Sequence, residues 1–155
     1  MRAIRDGVTI EATPLEAWEA WTTAAGLQGF LAPKARVDLR IGGAFEVYFD
    51  LDAPKGSRGS EGMKILSYVP EEMLSFTWTA PPEYPEVRGQ KTWVVVQFEQ
   101  VAPRRMRVAL THLGWREGGQ WDEVFHYFTR AWRTVLARFQ YRFEVGPVDW
   151  TDPPH

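Results

Sequence analysis

The chain contains no cysteine in its 155 residues. That absence excludes a disulfide framework, a thiolate zinc site, an iron–sulfur cluster and a cysteine nucleophile, and it fits a reducing compartment. Histidine is scarce: His112, His126 and His155 are widely separated, so no metal centre is expected. Positive charge is not in surplus, since 18 Lys and Arg stand against 20 Asp and Glu for a net charge of −2. A nucleic-acid binder carries a basic excess or stripe, so nucleic acid is not an expected partner. No apolar run approaches the length of a membrane span, and the opening Met1-Arg2-Ala3-Ile4-Arg5-Asp6 lacks an apolar leader core. No membrane insertion is expected, and a cytoplasmic location is. A Gly-x-Ser-x-Gly elbow is missing. Gly56-Ser57-Arg58-Gly59-Ser60-Glu61-Gly62 lacks the Gly-Lys-Ser/Thr ending of a phosphate loop and is not followed by a helix. It reads as a mobile loop between strands, and no cofactor is expected.

What the chain does have is aromatic rings: 14% Phe, Trp and Tyr, with 8 Trp. Rings bury much area per residue, so either the core is unusually aromatic or some rings line a cavity. Ala3 to Ala12 alternates as a half-buried strand. Thr13-Pro14-Leu15-Glu16 then opens a helix with a capping box, and Leu15, Trp18 and Trp21 form its apolar stripe. A second short helix ends near Leu31. Period-two alternation follows from Lys34 to Ile41 and from Phe45 to Leu51, with Gly42-Gly43 as a tight hairpin turn. Four more strands are expected at about 62–69, 73–78, 92–100 and 106–112, all joined by connections too short for crossover helices and hence antiparallel. From Gln120 to Val145 the apolar residues Trp121, Val124, Phe125, Phe128, Trp132, Val135, Leu136, Phe139 and Phe143 share one arc of a long helix. Residues 1–145 read as one domain, and 146–155, with its prolines, as a loosely held tail.

The long helix spans roughly 39 Å and an eight-residue strand roughly 27 Å, so the helix must lie along the sheet. Seven strands are much wider than one helix. The sheet must therefore curl around it or leave a gap, and rings at the mouth of such a gap make a binding pocket.

The order of one strand, two short helices, six strands and a long helix resembles the α+β helix-grip fold of the START-related (SRPBCC) superfamily, the birch-pollen-allergen type. Within it, the chain resembles the family named after the ATPase activator of heat-shock protein 90. The carrying motifs are Thr13-Pro14 with Trp18 and Trp21-Thr22, Ile41-Gly42-Gly43-Ala44-Phe45, Val69-Pro70 leading to Leu74-Ser75-Phe76-Thr77-Trp78, and Val108 to Trp115 ahead of the last helix. They cover about residues 3–143 and consist mostly of packing and turn residues, so they carry fold rather than chemistry. The resemblance implies a curved seven-stranded antiparallel sheet gripping the C-terminal helix, with a hydrophobic cavity between them. It also implies relatives that bind lipids, hormones or polyketides, or that act as cyclases or hydrolases.

Residues expected to face that cavity are Phe45, Phe49, Phe76, Trp78, Phe125, Phe128 and Trp132, against the plain alternative that they fill a core. Trp78 and Trp132 belong to the rim. His112 alternates in phase with Val108 and Leu110 and should point inward. It is either a polar handle or general base or, the favoured reading, a hydrogen-bonded residue closing the sheet end. Tyr84, in a proline-stiffened loop, could reach the cavity mouth or sit in solvent. No catalytic residue is assigned. The leading expectation is a binding protein for an apolar small molecule, connected with stress response if the resemblance extends to function. The alternatives are a chaperone-associated adaptor and a cyclase- or hydrolase-like enzyme using His112 with Tyr84 or Asp50. A homodimer is compatible with all three.

Overall fold

The computed structural model describes residues 2–154. Seven strands and four helices follow in the order β1 (Ile4–Ile10), α1 (Pro14–Thr22), α2 (Ala24–Gln28), β2 (Lys34–Val37), β3 (Phe45–Tyr48), β4 (Ile65–Val69), β5 (Met73–Trp78), α3 (Pro85–Arg88), β6 (Thr92–Ala102), β7 (Arg105–Leu113) and α4 (Gln120–Glu144). The architecture is the α+β grip: a curved antiparallel sheet and a long C-terminal helix. Five strands form a continuous ladder in the order β1-β7-β6-β5-β4, and β2 pairs with β3.

The two ladders meet through isolated contacts. Phe45 N–H donates to the Met63 carbonyl at 2.9 Å, Ile65 N–H to that of Gly43 at 2.9 Å, and Ser60 N–H to that of Val47 at 2.9 Å. Gly59 permits this join, because a Cβ there would stand 2.0 Å from the Val47 carbonyl oxygen.

Alternation decides which face is buried. Thr92, Val94, Val96 and Phe98 of β6 are buried, as are Met106, Val108, Leu110 and His112 of β7. The register sets Val94 opposite both Phe76 and His112, so the buried residues form rows across the sheet. Thr13 caps α1 as anticipated: its Oγ1 accepts from Glu16 N–H at 3.2 Å, while Glu16 Oε1 accepts from Thr13 N–H at 2.9 Å.

Rings plug one end of the interior. Trp21, Phe30 and Phe139 lie 4.7–5.7 Å apart, centroid to centroid, and all three are fully enclosed. Among the strands, α4 packs chiefly along β1, one edge of the long ladder. The opposite side, towards β3 and β5, is thereby left at a distance from the helix.

Five expectations are corrected. The alternating run 34–41 ends as a strand at Val37. Leu39 and Ile41 are exposed in a wide turn in which Asp38 N–H donates to Ala44 O at 2.9 Å and Gly43 N–H to Arg40 O at 2.8 Å. The Gly42-Gly43 pair is thus part of a longer connection, because Gly42 and Gly43 also bond to Ile65 of β4. The strand expected to run from Phe45 to Leu51 ends at Tyr48, since the N–H groups of Phe49 and Asp50 both turn to the Arg58 carbonyl. The loop 56–62, expected to be mobile, is tethered: the Glu61 carboxylate accepts from the backbone N–H groups of Gly56, Arg58 and Gly59. The tail, expected to be loose, folds back. Val148 is buried and its N–H donates to Gly29 O at 2.9 Å, and Trp150 Nε1–H donates to Gln28 O at 2.6 Å.

Candidate functional site

The space between α4 and the β3–β5 side of the sheet is a cleft of about 800 Å³, within the range of small-molecule sites. Its base is apolar: Trp78 at the end of β5, Ala80 beyond it, Leu31 after α2, and Phe128, Trp132 and Val135 on α4. Trp78 and Trp132 rest against each other with centroids 5.4 Å apart. The walls and mouth come from Asp50, Ala53 and Ser57–Ser60 on one side and from Pro81, Pro82 and Glu83 on another. The flank of α4 adds Tyr127, Arg130, Ala131, Thr134 and Arg138.

Two devices hold these parts in place. The first is His112, which has no solvent exposure. Trp132 Nε1–H donates to its Nδ1 at 3.0 Å, and its Nε2 lies 2.7 Å from Thr92 Oγ1. An indole nitrogen can only donate, so Nδ1 is the acceptor and the ring proton sits on Nε2, donating to Thr92. The Thr92 hydroxyl is then left to donate to the Trp78 carbonyl at 3.5 Å. Burial pushes the His112 pKa down from 6.5 to about 3, so the ring is neutral. One imidazole therefore links β7, β6 and α4 and fixes Trp132 at the cleft base from behind, while Thr92 carries the link on to the Trp78 backbone carbonyl of β5. The buried Trp78 indole N–H has no hydrogen-bond partner among the described residues.

The second device is Arg88. Its guanidinium donates to the carbonyls of Ala80, Gly56 and Gly59 and stands 3.7 Å from Glu61. Glu61 in turn gathers three N–H groups of the 56–61 loop. The two loops that wall the cleft are thus tied through one arginine about thirty residues distant from the loop it holds.

Of the residues singled out from the sequence, Phe49, Trp78, Phe128 and Trp132 line the cleft, whereas Phe45, Phe76, His112, Phe125 and Tyr84 are absent from its lining. Phe45 and Phe76 stack with centroids 3.9 Å apart and are wholly buried, so they serve as core. His112 points inward but stops behind Trp132. With both ring nitrogens bonded and no exposed face, it has no access to a substrate. Phe49 is half-exposed at the mouth because the chain leaves the sheet before reaching it. Phe125 lies outside, under the Arg2 guanidinium at 4.5 Å, and Tyr84 neighbours Tyr127 at 6.2 Å. Missed from the sequence were the cations Arg58, Arg88, Arg130 and Arg138, together with Leu31, Tyr127 and Val135 as lining. A signal existed for part of this: Tyr127, Ala131, Thr134 and Arg138 recur at helical spacing on the flank of the apolar arc.

Among the described residues, no three His, Asp or Glu side chains gather as a metal site, and no helix is long and apolar enough to cross a membrane.

The fold has solved relatives. The chain is similar to the Aha1 dimer of Colwellia psychrerythraea, at 21% identity and TM-score 0.71, covering 94% of this chain and 98% of that one. It is also similar to an HSP90 activator of Plasmodium falciparum, at 18% identity and TM-score 0.68, covering 95% and 98%. A protein of Mesorhizobium loti matches at 16% identity and TM-score 0.71, covering 90% and 94%. At such identities the likeness is one of fold. No curated protein matches the chain. The profile of the family described as "Activator of Hsp90 ATPase homolog 1-like protein" matches residues 11–144. With that match over most of its length, the chain belongs to this family.

Proposed function

We propose that this protein binds a largely apolar small molecule in the cleft between the sheet and α4. The observation that carries the reading is the cleft itself, about 800 Å³ with a base of Trp78, Trp132, Phe128 and Leu31. Trp132 is anchored from behind by its indole bond to His112, and Trp78 rests against it with its backbone carbonyl accepting from Thr92, so the base is a packed apolar wall of the kind that gives affinity at little ordering cost. The contrast with the Trp21, Phe30 and Phe139 cluster, whose rings pack on one another and are fully enclosed, supports a space kept open rather than a packing defect.

Replacing Ala131 by Trp tests this. Ala131 lines the cleft from α4 and is only partly buried, so a large ring there enters the cleft without displacing core. The unaltered chain is expected to bind N-phenyl-1-naphthylamine, a neutral apolar dye, saturably. Ala131→Trp is expected to weaken that binding by about tenfold or more while leaving the melting temperature nearly unchanged. Absence of saturable binding to the unaltered chain, or equal binding by the variant, would remove the reading.

Family membership supports a second reading, an accessory role to a heat-shock protein 90 chaperone, because one structural relative is described as an HSP90 activator. It predicts that adding the purified chain raises ATP hydrolysis by the host chaperone. An unchanged rate, with no co-sedimentation, would dispose of it.

A further inference from the structure

The charged residues around the cleft are unbalanced. Its lining includes four arginines, Arg58, Arg88, Arg130 and Arg138, against two acids, Asp50 and Glu83. That is a local excess of two positive charges in a chain whose net charge is −2. The arginines are not equivalent. Arg88 is committed to the Ala80, Gly56 and Gly59 carbonyls and stands beside Glu61. Arg58 Nε donates to Ala53 O at 2.8 Å, within its own loop. Among the described residues, no acidic side chain lies within ion-pair distance of Arg130 or Arg138. Arg130 is exposed and Arg138 is partly buried.

Arg138 is also the one that the tail holds. Its Nε donates to Pro154 O at 3.1 Å, and its guanidinium lies 5.6 Å from the Trp150 ring centroid. Trp150 is itself fastened to Gln28 O and Val148 to Gly29 O. An arginine with Nε engaged by the protein keeps its two terminal nitrogens for a planar, two-point contact with a carboxylate or phosphate. Partial burial also lowers its pKa, so a partner anion in the cleft would offset part of that desolvation cost. The residues fastening Arg138 lie beyond residue 144, where the family match ends, so this arrangement is a feature of the chain rather than of the matched region.

We propose that the ligand of the cleft is an apolar molecule bearing a single anionic group, and that Arg138, positioned by the C-terminal tail, receives that group. This rests on the reading of the cleft as a ligand site, and the test separates the two. Two dyes with one scaffold serve as probes: neutral N-phenyl-1-naphthylamine and its sulfonate, 1-anilinonaphthalene-8-sulfonate. The full-length chain is expected to bind the sulfonate about tenfold more tightly. Arg138→Gln is expected to abolish that preference while retaining the neutral dye, and Trp150→Ala to reduce it in the same direction. Retained binding of the neutral dye reports that the cleft is intact. A wild-type chain that binds both dyes equally, or a preference that survives Arg138→Gln, overturns the anionic assignment and leaves the cleft reading standing. If neither dye binds, the cleft reading itself fails. Should Arg138→Gln not fold, sodium chloride titration of the unaltered chain decides: the preference must shrink as salt rises, and an insensitive preference overturns the proposal. Displacement of the neutral dye by dodecanoate, dodecyl phosphate and dodecanol then assigns the acid. Either anion is expected to compete about tenfold better than the alcohol, the stronger naming carboxylate or phosphate, whereas equal competition by the alcohol overturns the proposal.

Discussion

His112→Ala is expected to lower the unfolding free energy by about 3–5 kcal/mol, read by urea denaturation at pH 7.5. Two effects add. Removing the imidazole leaves a void between β7 and α4 where the ring now meets Trp132, Phe128 and Trp115. It also strands the Trp132 indole N–H, deep in the core, and takes the ring N–H from Thr92. Because Trp132 loses its anchor, binding of the neutral dye should weaken in step with stability. A loss below about 1 kcal/mol would mean that the imidazole is not the clamp at the sheet end.

The same residue makes stability depend on pH. Its pKa is about 3 in the fold against an ordinary 6.5, so below pH 6.5 the unfolded chain binds a proton that the folded chain refuses. The stabilising contribution is therefore complete above pH 6.5 and is lost as pH falls towards 3, at about 1.4 kcal/mol per pH unit. By pH 5 the loss amounts to about 2 kcal/mol. Glu16, Asp122 and Asp149, whose pKa values lie below the ordinary 4.5 and 3.8, add their share only at lower pH. A urea series from pH 7.5 to 5 should slope downward for the unaltered chain and be flatter for His112→Ala. Equal slopes would show that the ring does not resist protonation.

Arg88→Ala is expected to cost about 2–3 kcal/mol and to open the cleft wall. Its guanidinium bonds three carbonyls from two loops, and charged hydrogen bonds of this kind contribute about 1.5–3 kcal/mol each when shielded, less where water competes. Glu61 would keep its backbone donors but lose its cationic neighbour. Limited trypsin digestion should then cut faster at Lys55 or Arg58, because the loop loses its tie to Arg88. Unchanged digestion would mean that the Glu61 contacts alone hold the loop.

Much of the framework was legible because it depends on periodicity. Half-buried strands such as β6 and β7 must alternate, and a helix packed on one side must repeat its apolar residues near every third or fourth position. The Thr13–Glu16 box is local by construction, spanning three residues. The site was read less well. Trp78 and Trp132 were identified as rim rings and line the cleft base, yet Phe45 and Phe76, which have the same alternation, stack on each other in the core. Alternation says which face a residue takes; it does not say what stands opposite. The 56–62 loop looked mobile because its composition is glycine-rich, and its order comes from Glu61 and from Arg88. The tail looked loose because of its prolines, while Arg138, Gln28 and Gly29 hold it.

By itself the sequence determined the order of the strands and of the flanking helices, though not the short α3, together with the antiparallel pairing, the apolar arc of α4 and the lack of thiols. These follow from composition and from spacings of two to four residues. Only the tertiary structure decided that α4 lies along β1, leaving a cleft on the far side, that His112 stands behind the wall rather than in it, and that arginines rim the mouth. Those outcomes rest on contacts between residues far apart in the chain, such as Arg88 with Gly56 and Arg138 with Pro154, and no local pattern specifies where two distant segments meet.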